Sequence, residues 1–345
     1  YSLYHTNRTN DTYKLINFPR GIMMERTQLK GLNTKFQKLK SFGVFWVLIA
    51  IIILAAIIEP GFLKFNNLIN VIRQIAINGI IAVGMTFVLL TGGIDLSVGA
   101  SVGVVAVSVA MMFQKGINPV LAIVIGLLIS AVIGFLNGLG ITKGKIVPFI
   151  MTLGTLTAFR GLALYIANGS PQSWRKSGVD IKFIGQGDFL GIPIPVFIFF
   201  VVLIGAYFVL KYTSFGRSVY AIGDSREAAR LSGINVVKTE WIVYTLSGFL
   251  AGLSSLILIS RLSVGEPTAG EGAELDAIAM AVIGGTSTSG GIGGVGGTLI
   301  GAALLSVIAN LLNIIGISPF IQRIVKGLII ILAVLLERKQ RRAKS

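Results

Sequence analysis

Ten apolar runs, most of them close to the length of a membrane-spanning helix, constrain this chain more than any motif in it. They read near 44–58, 68–91, 94–113, 119–140, 146–167, 192–211, 241–262, 274–290, 296–314 and 320–336. The hydrocarbon core of a bilayer takes about 20 residues of helix. With no water there, each backbone N–H and C=O must pair within its own segment, so such runs become helices. Only 13% of the residues are charged, against about 25% in soluble domains. The expected fold class is an all-α polytopic membrane protein with about ten transmembrane helices and both termini cytoplasmic.

Charge supplies the orientation. Residues 1–43 hold eight Lys and Arg against two acids, residues 140–146 hold Lys143 and Lys145, and residues 211–241 hold five basic and three acidic side chains. The chain closes on RKQRRAK. Ten crossings with a cytoplasmic N-terminus bring all four segments inside, with 20 of the 30 Lys and Arg, whereas nine would leave the basic tail outside. The same pattern accounts for the net charge of +16 without nucleic acid as a partner, and makes membrane lipid the surroundings. The expected organisation is a basic N-terminal segment over 1–43, a transmembrane domain over 44–337 with a cytoplasmic loop at 211–240, and a basic tail over 338–345. The chain does not begin with Met; Met23 and Met24 are candidate starts, which would leave 1–22 outside the native fold. Val44–Ile58 is expected as an uncleaved first span, because Glu59-Pro-Gly-Phe follows it instead of a small-residue cleavage site.

An internal repeat is faintly visible. GGIDLSVGASVG from Gly92 and GGIGGVGGTLIG from Gly290 share five of twelve positions, and span parity gives both copies one orientation. Pro148-Phe-Ile and Pro319-Phe-Ile fall in oppositely oriented spans and are discounted.

The polar island Lys211–Trp241 interrupts the apolar pattern most sharply. Asp224-Ser-Arg-Glu227 reads as a helix start, with Asp224 as cap and Glu227 three residues on. Ala228, Ala229, Arg230 and Leu231 favour helix, and Gly233 is expected to stop it. The expectation is a short helix of about two turns outside the bilayer, serving either as an ordinary loop or as a docking element.

Few residues suggest chemistry. Cys is absent and the single His, His5, lies in the polar N-terminal stretch, so thiolate or imidazole catalysis and metal binding are not expected. Gly291 to Gly296 formally fits GxGxxG but lies between apolar spans, where helix packing or a broken helix is the better reading. No GxxxxGK[ST] is present, so the chain carries no phosphate-cradling loop for ATP. Asp95 sits at a Gly-rich break, either as a costly carboxylate at membrane depth or, preferably, as a cap for the helix after it. Arg160, Arg323 and Lys326 fall toward the outer halves of spans and are expected chiefly to snorkel, with a polar pathway or acidic partners as alternatives. Glu274 and Asp276 suit a polar collar better than acid–base catalysis. Asn168-Gly-Ser170 is a formal glycosylation sequon that chance explains.

With these motifs in view, the chain resembles the permease subunits of ribose-type sugar ABC importers. NGIIAVGMTFVLLTGGIDLSVGAS (78–101), FGRSVYAIGDSREAARLSGINV (215–236), RLSVGEPTAGEGAELDAIAMAVIGGTS (261–287) and GGTLIGAALL (296–305) carry the resemblance, over about residues 40–337. It implies a dimer of permeases, most simply two copies of one chain, that moves a monosaccharide, D-ribose first, with galactose, xylose or autoinducer-2 as alternatives. It further implies an extracytoplasmic sugar-binding protein meeting Ser263–Glu271, and a separate cytoplasmic ATPase that holds the ATP and Mg. The ATPase-coupling residues would be Gly216, Arg217, Asp224, Arg226, Glu227, Ala228, Ala229, Arg230 and Gly233. In that reading Ala228 and Ala229 let the helix sit close to the ATPase while Arg226, Glu227 and Arg230 pair with its charges. Asp95, Arg160, Glu274 and Asp276 remain pathway or structural candidates. An ion-coupled secondary transporter and an intramembrane enzyme are the competing classes, disfavoured by the scarcity of mid-membrane carboxylates and the lack of catalytic groups.

Overall fold

The structure is a computed structural model that describes residues 43–342, with the side chains of the last helix described to residue 335. The basic N-terminal segment to residue 42, the candidate starts Met23 and Met24, and the side chains of the basic tail therefore lie outside the described residues.

Each apolar run carries a helix: α1 (Gly43–Ile58), α2 (Phe65–Leu90), α3 (Val98–Gln114), α4 (Pro119–Thr142), α5 (Pro148–Ile166), α7 (Ile194–Tyr212), α10 (Val236–Leu262), α11 (Ala273–Ile283), α12 (Val295–Ile314) and α13 (Pro319–Arg342). Short elements join them: a 3-10 turn over Pro60–Leu63, the single-turn α6 (Lys182–Gln186), and the polar pair α8 (Ser214–Asp224) and α9 (Arg226–Leu231). Two-residue strands β1 (Gln172–Ser173) and β4 (Val264–Gly265) pair antiparallel, with Gln172 opposite Gly265, and β2 (Asp188–Phe189) pairs with β3 (Ile192–Pro193).

Six helices, α2, α4, α5, α7, α10 and α12, are long and apolar enough to cross a membrane, while α1 and α3 are apolar but shorter. The expected span at 274–290 is corrected. Its helix ends at Ile283 after 11 residues, about half the hydrocarbon thickness at 1.5 Å per residue. Gly284 and Gly285 open a Gly-rich connection that runs to Val295 in non-helical backbone. That backbone is covered by protein, since Gly291 N–H donates to Leu90 O at 3.0 Å and Gly290 lies against Gly223. Irregular backbone at membrane depth requires such cover.

The connections gather at two ends. At one, the Trp241 indole donates to Thr142 Oγ1, Lys143 Nζ stands 5.0 Å from the Trp241 ring centre, and Tyr220 Oη donates to Gly293 O at 2.9 Å. The 91–97 break, Lys143 and the island therefore share this end. At the other, β1 meets β4, Gln186 Nε2 donates to Arg261 O at 2.7 Å, and Arg323 pairs with Glu271 at 3.4 Å.

α2 and α10 form the centre, with 72% and 67% of their most apolar windows buried against 11% for α5. Small residues explain how α10 is enclosed. A Cβ on Gly134 of α4 would lie 2.1 Å from Tyr244 O, and one on Gly248 of α10 2.3 Å from Ser130 O. Backbones this close are the usual means of helix association where lipid removes the hydrophobic drive between helices. The outer helices turn Leu128, Ile150, Val201 and Phe320 outward, an apolar surface suited to hydrocarbon.

The repeat is broader in space than in sequence. Gly92 and Gly290 meet, a Cβ on Gly290 falling 3.0 Å from Gly92 N. After each copy the outgoing helix ends in one shared turn, Gly116-Ile-Asn-Pro119 and Gly316-Ile-Ser-Pro319, with φ of +72° and +76° at the two glycines. Gly116 N–H donates to Phe113 O and Gly316 N–H to Asn313 O, both at 3.1 Å. Asn118 and Ser318 then accept from N–H groups of the next helix. The discounted match of Pro148 with Pro319 thus gives way to Pro119 with Pro319.

Candidate functional site

The island folds into two helices, one more than the sequence reading. Thr213 starts α8, its Oγ1 accepting from Gly216 N–H at 3.1 Å, and Gly216, Val219 and Ile222 form a buried stripe. Phe215 stacks on Phe87 of α2 with ring centres 6.4 Å apart. Gly223 lies against Leu90 O and Gly291 N, so closely that any side chain would collide with this backbone. α8 thus rests on the end of α2 and on the Gly-rich connection together.

Asp224 is not the cap of the next helix. It is the exposed last residue of α8, and Ser225 takes the capping position, Oγ accepting from Ala228 N–H at 3.3 Å. Ser225 has extended backbone and Asp224 does not, because α8 continues through it; the sequence offers both side chains and the preceding helix decides. α9 keeps Glu227 in its first turn and Arg230 in its last, the favourable order for the helix dipole. Gly233 ends it as expected. At φ +83° its N–H donates to Arg230 O, while Ile234 N–H reaches back to Ala229 O. This is a Schellman closure, with Ile234 and Ala229 in one apolar cluster.

The two alanines divide. Ala228 is exposed, but Ala229 is buried against Ile222 and Val236, so it seats α9 on its own chain and does not face a partner. The charges are likewise engaged within the chain. Arg226 pairs with the buried Glu240 at 2.9 Å, and Arg230 with Glu227 at 2.6 Å. By hydrogen bonding and charge, the Arg230 guanidinium holds the Glu227 carboxyl below its ordinary range. The outward surface of α9 includes Glu227, Ala228, Arg230 and Leu231, the last 74% exposed, with Arg226 half in solvent beside them. Arg217 is exposed one helix earlier, beside α7.

Asp95 is fully buried, and its carboxylate organises a polar network that the sequence did not reveal. Oδ1 accepts from Ser97 N–H at 3.0 Å and Ser97 Oγ at 2.7 Å, and Oδ2 accepts from Ser247 Oγ at 2.9 Å. Asn137 Nδ2 donates to Ser97 Oγ at 2.7 Å, and Thr155 Oγ1 donates to Asn137 Oδ1 at 2.8 Å. The carboxylate braces the turn into α3 and ties it to α4, α5 and α10. It does not bond the N–H groups of α3 itself, whose capping position is Ser97. Asn137, isolated in the apolar α4, was the available signal.

At the opposite end the expected snorkelling gives way to fixed partners. Arg160 Nη1 donates to Pro267 O at 2.6 Å and Ala269 O at 2.9 Å, and Nη2 to Gly99 O at 3.0 Å. Lys326 pairs with Asp276 at 2.7 Å and Arg323 with Glu271. Glu274 and Asp276 turn to different surroundings. Glu274 lies against Gly99 with a buried Oε2 that has no hydrogen-bond partner, while Asp276 turns to Lys326. Gly99 and Gly103 leave the space that the Glu274 carboxyl and the Arg160 guanidinium occupy. The element that precedes the GxGxxG stretch is helix α11, not a strand; Gly293 packs on Thr286 and the motif runs into α12.

Comparison with known proteins assigns the chain. Residues 67–334 match the family model described as branched-chain amino acid transport system, permease component, and the chain belongs to that family. It is similar to the ribose import permease protein RbsC of Bacillus subtilis (strain 168), with 48% identity over 88% of this chain and 94% of the relative. The Escherichia coli (strain K12) ribose import permease protein RbsC is 43% identical over 85% and 93%. The xylose transport system permease protein XylH of the same strain is 35% identical over 91% and 94%. No solved structure matches.

Proposed function

We propose that this chain is the membrane-spanning subunit of an ATP-driven importer that translocates a monosaccharide, D-ribose. The observation that carries the reading is its 48% identity to a ribose import permease along nearly the whole of both chains. The lower identity to the xylose permease makes xylose the second substrate to test. The protein is a multi-pass protein of the bacterial inner membrane. Ten membrane-embedded helices with both termini cytoplasmic suit the helix order, and the gathering of Lys143 with the island at one end supports that topology. In this scheme 44–337 is the permease domain, 1–43 and 338–345 are basic cytoplasmic segments, and 211–240 is the coupling loop.

ATP and Mg belong to a separate ATPase that docks on α9, with Arg230, Glu227, Ala228 and Leu231 as contact residues. Gly216, Ala229, Arg226 and Gly233 hold the shape of α8 and α9 behind them, and Arg217 and Asp224 flank the contact. Because α8 rests on Leu90 and Gly291, force on α9 reaches the end of α2 and the connection into α12. The loop 263–271, which Arg160 braces through Pro267 and Ala269, is the surface for the extracytoplasmic binding protein. A second copy of the chain completes the permease.

The test is uptake of labelled sugar by proteoliposomes that contain this chain, a ribose-importer ATPase and a ribose-binding protein. ATP-dependent accumulation of ribose ahead of xylose and galactose is expected. Accumulation driven by an ion gradient without the ATPase would sink the proposal.

A further inference from the structure

A groove of about 610 Å³ opens at the island end of the bundle, between the last turn of α7, the first turns of α8, and the Gly293–Gly297 backbone that begins α12. Its polar lining is Tyr207, Lys211, Arg217 and Tyr220. Lys211 Nζ donates to Tyr207 Oη at 2.6 Å and stands 5.1 and 5.3 Å from the Tyr207 and Tyr212 ring centres. The four ion pairs among the described residues leave out both Lys211 and Arg217. The groove therefore holds two cations and no carboxylate, an arrangement complementary to an anion.

Its position says which anion. α7 is membrane-length and turns Phe200, Val201, Ile204 and Phe208 outward, so this side of it suits acyl chains. Tyr207 and Tyr212 beside Lys211 at the end of that apolar face are the aromatic and basic residues found where a span meets the headgroups. We propose that the groove binds the phosphate headgroup of an anionic phospholipid through Lys211 and Arg217, with the acyl chains along the outer face of α7. The Gly293–Gly297 backbone, which opens α12 without a side-chain cap, forms the facing wall. The proposal does not depend on the transported sugar or on the ATPase contact at α9.

Native mass spectrometry of the full chain, released from nanodiscs of phosphatidylglycerol mixed equally with phosphatidylcholine, tests this. Retention of phosphatidylglycerol over phosphatidylcholine by about tenfold is expected from two unpaired charges at the membrane surface. Lys211→Gln with Arg217→Gln should erase that preference, and Lys211→Arg with Arg217→Lys should keep it, which separates lost charge from lost folding. No preference in the wild type, or equal preference in the Gln variant, overturns the proposal. A rise in melting temperature with inorganic phosphate alone that matches the rise with phosphatidylglycerol overturns the lipid source.

Discussion

The hydroxyl of Ser247, in the middle of α10, donates to Oδ2 of Asp95 at 2.9 Å across 152 positions of sequence. The bond makes the break between α2 and α3 part of the central helix packing. A carboxylate with donors on both oxygens is tolerated at full burial, where an unpaired one is costly.

Ser247→Ala should therefore lower stability by about 1.5–3 kcal/mol, the range for a hydrogen bond to a charged group. Asp95→Ala should cost more, since Ser97 and Ser247 both lose their acceptor. Melting of the two single variants and the double variant decides it. The contact predicts strong non-additivity, and simple addition of the two losses would count against it.

Arg226 and Glu240 call for a different cycle. Arg226→Ala strands a Glu240 side chain that is only 5% exposed, and about 1–3 kcal/mol of destabilisation is expected, moderated because Arg226 itself is half in solvent. Arg226→Ala with Glu240→Gln should recover most of the loss. A double variant no more stable than Arg226→Ala would show that the pair does not govern this junction.

Gly233 makes the end of α9 through backbone that L residues avoid. Gly233→Val should cost about 1–2 kcal/mol and sharply reduce uptake while the protein still inserts in the membrane. Gly233→Asn, which tolerates the left-handed region, should retain most of both. Equal behaviour of the two variants would detach the turn from transport.

The Glu227–Arg230 pair is fully in solvent and should matter for the partner more than for folding. The folded carboxyl titrates below its unfolded value, so its stabilisation is present above the unfolded pKa and fades as pH falls through the folded one. Acidification from pH 7 to 5 should leave the Glu227–Arg230 pair intact. Arg230→Glu should weaken co-purification of the ATPase with little change in melting; an unchanged complex would make α9 an ordinary loop.

Much of the architecture was legible because membrane helices announce themselves by composition. The apolar runs found their helices, and Gly233 stopped α9 where a short polar helix needed an end. The failures share a cause. Asp224 and Ser225 are both good caps, and the choice between them followed from how far α8 extends, which depends on its seat against α2. Ala229 looked available for a partner because its helix offered no sign of which face was covered. Arg160 and Lys326 looked like snorkelling side chains because their acceptors lie on loops and helices distant in sequence.

By itself, then, the sequence determined the helical class, the count of apolar segments, the location of the polar island and the family signature, all of which follow from local composition and short-range pattern. Only the tertiary structure decided that α11 stops halfway, that Asp95 is held by Ser97 and Ser247, and that α8 rests on Leu90 and Gly291 together. Those facts arise from backbones meeting at glycines and from polar groups finding donors far along the chain, and a one-dimensional pattern carries neither.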